Sequence, residues 1–109
     1  MKRMCRIIQV KPEILAEYKR IHAAVWPEIL EAIAKSDVKN YSIFLREPEN
    51  LLISYWEYHS KNYDKDMEDI KSAPRMREWW DMTDPMQTPL ATRQSHEWWA
   101  DTEEVFHTD

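Results

Sequence analysis

Not one glycine occurs in these 109 residues. Glycine lets a backbone take positive φ at no cost or approach a ligand without a Cβ in the way. A phosphate-cradling P-loop, a dinucleotide fingerprint and a nucleophile elbow all depend on it. Most nucleotide-dependent and serine-hydrolase chemistry is thereby excluded. Whatever this chain does must be done by side chains carried on regular elements. The length suits one hydrophobic core and is too short for two, so a single domain over residues 1–109 is expected.

Charged residues make up 32% and apolar ones 43%, the balance of a soluble globular domain. No apolar run approaches the roughly 20 residues of a spanning helix, and the N-terminus lacks the apolar core and cleavage site of a signal peptide. Neither a membrane nor secretion is expected. Fifteen basic residues against twenty acidic ones give a net charge of −5, with the basic ones scattered, which argues against a nucleic-acid surface. Cys5 is the only cysteine, so neither a disulfide nor a thiolate metal cluster can form within the chain, and a reducing, cytoplasmic location is expected. His59, His96 and His107 have no histidine partner three or four residues away. The acidic run Asp64–Asp69 lacks the glycine of a calcium loop. No metal or cofactor is expected.

Residues 4 to 10 are apolar and β-branched and read as a strand, closed by Pro12. Glu13 to Lys35 is rich in helix formers and predicts one long helix, kinked at Pro27. Val38 to Arg46 and Leu51 to His59 predict a hairpin around the turn cluster Glu47-Pro48-Glu49-Asn50. A polar helix over 61–72, a short helix from Pro74 through Met82, an irregular stretch from Thr83 to His96 and a terminal strand at Glu103–His107 complete the pattern. Strand, helix, two strands, helix, strand is the split βαβ order of an α+β, ferredoxin-like fold with helices on one face of an antiparallel sheet. The hairpin is apolar or aromatic on both faces, and a second subunit is the simplest cover for the face the helices leave bare. A homodimer packed sheet to sheet is therefore expected.

At about 100° per residue, Ile14, Leu15, Tyr18, Ile21, Val25, Trp26, Ile29 and Ile33 fall in one arc of the first helix. His22 lies near the middle of that arc, one turn after Tyr18. An isolated histidine there is most simply a core residue whose ring nitrogens bond a carbonyl or Tyr18. A functional reading gains weight because Tyr18 and Tyr41, from the helix and from the hairpin face that can look toward it, converge on the same place. Half-polar, half-aromatic cavities are how small-ligand sites are commonly lined. Trp79 and Trp80 are adjacent on a short helix and point about 100° apart, so both cannot serve the core equally. Trp98-Trp99, near the end of the chain, fits subunit packing.

Tyr18 with His22, Val25-Trp26-Pro27-Glu28, Asn40-Tyr41-Ser42-Ile43-Phe44-Leu45, Asn50-Leu51-Leu52, Trp79-Trp80 and Glu104-Val105-Phe106 occur in an order that resembles the L-rhamnose mutarotase family over nearly the whole chain. The resemblance implies a small cytoplasmic dimer, a dimeric α+β barrel, that interconverts the anomers of a 6-deoxy-L-hexose without metal or cofactor. It further implies His22 as the catalytic acid, with Tyr18, Tyr41, Trp79 and Trp80 on the sugar. After the tryptophans the chain reads Asp81-Met82-Thr83-Asp84, one residue shorter than in the enteric rhamnose enzymes. Arg46–Asn50 and Pro85-Met86-Gln87 are similar to a branch that includes L-fucose mutarotases, so L-fucose stands as the alternative sugar.

The chemistry fits these residues. Mutarotation needs only proton transfers, and a histidine with an ordinary pKa near 6.5 gives and takes protons close to neutrality. Positioned acid–base catalysis supplies roughly 10²–10⁴-fold, enough for a reaction that already runs in water. Two other classes stay open at this point: a ferredoxin-like haem- or quinone-handling monooxygenase, on fold analogy alone, and a non-catalytic sugar-binding module in which His22 only packs.

Overall fold

The computed structural model describes residues 1–109. The chain runs β1 (Lys2–Val10), a 3-10 turn at Pro12–Ile14, α1 (Leu15–His22), α2 (Pro27–Lys35), β2 (Val38–Arg46) and β3 (Leu51–Tyr58). It continues through α3 (Tyr63–Lys71), α4 (Met76–Thr83), a 3-10 turn at Asp84–Met86, and two short strands, β4 (Gln87–Thr88) and β5 (Ala100–Asp101). The sheet order is β2-β3-β1-β4 with β5 also on β1, and every pairing is antiparallel. This is the ferredoxin-like arrangement the element order predicts.

Alternation along the central strands decides what faces the helices. Met4, Ile8 and Val10 of β1 are buried, as are Leu52, Ser54, Trp56 and Tyr58 of β3. Cross-strand register sets Met4 opposite Trp56, Arg6 opposite Ser54 and Ile8 opposite Leu52. The core on this face is therefore divided. A larger cluster holds Ile8, Val10 and Leu52 with Tyr18, Ile21, Ile29, Met76, Trp79 and Met86. A smaller one holds Met4, Val38, Trp56 and Tyr58. Between them the sheet presents a polar pair, Arg6 and Ser54. The opposite face carries the row Phe44–Ile53–Ile7–Ala100, and Phe44 is 60% exposed.

Three sequence expectations need correction. The helix predicted over Glu13–Lys35 is two helices, not one kinked helix. Pro27 takes the first position of α2, and Trp26 before it is extended at φ −58°, ψ 138°, because a residue preceding proline is kept out of the helical region. Val25 and Trp26 therefore lie in the connection and reach the core from there. The strand predicted at Glu103–His107 does not form; pairing stops at Ala100–Asp101, which lie against Ile7 and Arg6. Val105 and Phe106 have strand-favouring side chains but no neighbouring strand, and they stay exposed. Finally, the stretch expected to be irregular contains β4, which pairs with Gln9 and Val10.

Without glycine, the chain still takes positive φ at Asn40 (51°), Asn50 (56°) and Arg75 (66°). Asn40 sits at the bulge between Lys39 and Ser42, and Asn50 closes the hairpin turn. Asparagine tolerates this region by local hydrogen bonding; arginine has no such relief.

Candidate active site

α1 delivers the first two side chains. Tyr18 and His22 are one turn apart, and their rings stack at 4.0 Å between centroids with an interplanar angle of 23°. The Nδ1 of His22 lies 2.8 Å from the main-chain carbonyl of Tyr18. A carbonyl oxygen only accepts, so Nδ1 carries the hydrogen and Nε2 is left with its lone pair. Burial pushes the His22 pKa below its ordinary 6.5, opposed in part by this hydrogen bond. At neutral pH the ring is therefore uncharged, with Nε2 as the basic atom.

Trp79 of α4 closes one side of the imidazole, edge-on at 5.4 Å, and Trp26 meets Trp79 in turn at 5.2 Å. Trp79 is 7% exposed and belongs to the larger core cluster. Its neighbour Trp80 is half-buried, packed against that cluster. The two tryptophans thus divide as their 100° separation requires.

Tyr18 is 4% exposed. Burial is the main reason its phenol is pushed up to about 12, with a hydrogen bond from Gln87 acting the other way and Tyr41 adding a small increase. The Tyr41 phenol is likewise raised by burial and lowered by the Arg6 guanidinium. Tyr41 as a whole is 44% exposed. Both phenols are neutral at pH 7 and available as donors. Tyr41 stacks with Trp56 at 6.5 Å between ring centroids, and the Arg6 guanidinium lies 5.8 Å from the same indole, on the stretch of sheet where Arg6 and Ser54 interrupt the apolar core.

The structure brings Tyr18, His22 and Trp79 into direct contact, with Trp80 packed against the same cluster, while Tyr41 stacks on Trp56 of the neighbouring strand. Residues that the sequence pattern did not assign to the site also join it. Gln87 is buried, and the Trp98 indole N–H donates to its Oε1 at 2.8 Å, which leaves the Gln87 amide N–H groups for Tyr18. Trp98, expected to serve subunit packing, thus also holds an inner residue in place. Arg6 could have been noticed as a charge at an inward position of an alternating strand; Gln87, in a proline-rich stretch without periodicity, offered no such signal. No three His, Cys, Asp or Glu side chains come together as a metal set, and no helix is long and apolar enough to cross a membrane.

A profile of the L-rhamnose mutarotase family matches residues 3–108. The chain belongs to that family. Its curated relatives include an L-rhamnose mutarotase from Listeria monocytogenes serotype 4b, 37% identical over 87 residues, which cover 79% of this chain and 80% of the relative. Another, from Flavobacterium johnsoniae, is 34% identical over 104 residues, 94% of this chain and 91% of the relative. Among solved structures, an L-rhamnose mutarotase from Formosa agariphila superposes over 100% of both chains with a TM-score of 0.77 at 20% identity, a likeness of fold. Membership makes this chain a mutarotase, an isomerase that interconverts sugar anomers.

Proposed function

We propose that this mutarotase interconverts the α and β anomers of L-rhamnose, with Nε2 of His22 as the atom that takes and returns the proton. The observation that carries the assignment is the bond between Nδ1 and the Tyr18 carbonyl, which fixes the ring's tautomer and orientation. Neutral Nε2 accepts the proton of the anomeric hydroxyl. The C1–O1 bond becomes a carbonyl as the C1–O5 bond breaks, and the imidazolium gives the same proton to O5. Rotation about C1–C2 then offers the other face of the aldehyde, and the reverse sequence closes the ring as the opposite anomer. The imidazolium intermediate is the acid of the cycle, and the Tyr18 carbonyl supports its Nδ1–H throughout.

Tyr18 and Tyr41 donate to sugar oxygens in this reading, and Trp79 and Trp80 offer ring faces to the C–H surface and methyl group of a 6-deoxy sugar. L-Fucose, which is also a 6-deoxy-L-hexose, is the second sugar to test. The enzyme acts as a homodimer joined through the sheet face that bears Phe44, Ile53 and Ile7, and in the cytoplasm, where the free Cys5 stays reduced. Saturation-transfer NMR between the two anomeric proton signals tests the activity: the enzyme should accelerate exchange of L-rhamnose well above the buffer rate. Faster exchange of glucose or galactose than of either deoxy sugar would overturn the substrate class.

A further inference from the structure

Arg6 stands on the helix-facing side of β1, between the two apolar clusters, where alternation would place another Ile or Val. Its guanidinium is held on several sides. Nη2 donates to the Tyr63 hydroxyl at 2.9 Å, and the Trp56 ring lies 5.8 Å from Cζ. The nearest carboxylate oxygen, on Asp101, is 3.8 Å from Nε, too far for a hydrogen bond. Nε is buried and has no acceptor at all. An orphaned donor on a charged group is costly, and native proteins rarely keep one without a use.

What surrounds it suggests the use. Ser54, opposite Arg6 in the register, is small, and its hydroxyl is already spent on the Arg6 carbonyl at 3.3 Å. It takes up little space beside the guanidinium, and no hydrogen bond joins it to Nε. Trp56 links the guanidinium to Tyr41: its ring lies 5.8 Å from the Arg6 Cζ and stacks with the Tyr41 ring at 6.5 Å between centroids, so the unpaired N–H stands on the Tyr41 side of the sheet.

We propose that Arg6 is a substrate-binding residue whose buried Nε–H donates to a hydroxyl oxygen of the bound sugar beside Tyr41. The ligand is a neutral polyol rather than an anion, because Asp101 already lies near the guanidinium and offsets its charge. This rests on the mutarotase reading above. A charge-assisted donor that meets only the substrate contributes to binding in ground and transition states alike, so its loss raises KM and leaves kcat nearly unchanged.

The test measures L-rhamnose exchange kinetics for the wild type, Arg6→Met, Arg6→Lys and Tyr63→Phe, with circular dichroism as the check on folding. Arg6→Met keeps the length of the side chain without donors and should raise KM about tenfold or more with kcat within about twofold. Arg6→Lys keeps the charge but loses the planar Nε–H, and should also raise KM; it serves if the Met variant does not fold. Tyr63→Phe removes only the supporting contact and should change KM far less. A second readout needs no turnover: monodeoxy analogues of L-rhamnose compete for the wild-type site, and the analogue lacking the paired hydroxyl should bind wild type and Arg6→Met equally. Folded Arg6 variants with wild-type KM, in an enzyme that does exchange L-rhamnose, overturn this inference alone. A wild type that exchanges no aldose overturns it together with the reading it rests on.

Discussion

His22 Nδ1 and the Tyr18 carbonyl, one helical turn apart, are 2.8 Å from each other. The same backbone geometry that ends α1 at His22 thus decides which ring nitrogen is free. Replacing His22 with Asn keeps a polar group of similar reach while removing the titratable nitrogen. The folded variant should exchange anomers at least about 10²-fold more slowly and still bind L-rhamnose. Line-shape or saturation-transfer NMR measures both. Near-normal exchange in a folded His22→Asn protein would remove the histidine from the mechanism.

The depressed pKa of His22 sets the pH dependence. Because its folded pKa lies below the ordinary 6.5, the base form persists as pH drops through neutrality. The acid limb of the exchange rate should therefore fall below pH 6.5. Stability follows the same sign. Between the two pKa values the unfolded histidine binds more protons than the native one. The contribution is fully present above pH 6.5 and is lost as pH falls through that window toward the folded value. A rate profile whose midpoint lies above 6.5 would contradict a buried, desolvated base.

Much of this was legible in the sequence because it depends on local periodicity. The hairpin strands and their faces follow from alternation, and the position of His22 beside Tyr18 follows from the helical repeat. What escaped depends on contacts distant in the chain. Gln87 becomes an inner residue only because β4 pairs with Val10 and Trp98 folds back onto its amide. The apolar content of Val105 and Phe106 suggested a strand, but strand propensity counts only where a neighbour exists to pair with. The break before Pro27 was visible as a proline; its consequence, two helices, follows from the restriction on Trp26.

Phe44 lies at the outer edge of the apolar row that continues through Ile53 and Ile7, and it is 60% exposed. In the proposed homodimer it is buried by the partner's sheet. Light scattering of the wild type at micromolar concentration should give twice the 13.3 kDa chain mass. Phe44→Glu places a charge in that contact. It should weaken the dimer about 30-fold or more, as expected for a central aromatic worth about 2 kcal/mol. A wild type that scatters as a single chain would end the dimer reading.

Arg75 provides a test of strain that is independent of the sugar. It occupies φ 66° at the start of α4, while its guanidinium stacks 4.1 Å from the Trp26 ring and pairs with Glu28 at 3.5 Å and Glu78 at 3.3 Å. Those ion pairs are exposed and worth little; the stack on Trp26 steadies the indole that in turn meets Trp79. Arg75→Ala and Arg75→Gly both delete the side chain, so their difference isolates the backbone. Alanine keeps the Cβ that makes left-handed φ unfavourable, and glycine does not. Arg75→Gly should therefore be more stable than Arg75→Ala by about 1 kcal/mol, a shift in Tm of about 4–8 °C for a domain near this size. Thermal unfolding followed by circular dichroism measures the difference. Equal Tm values would mean that the backbone at Arg75 relaxes once the side chain no longer bridges Trp26, Glu28 and Glu78.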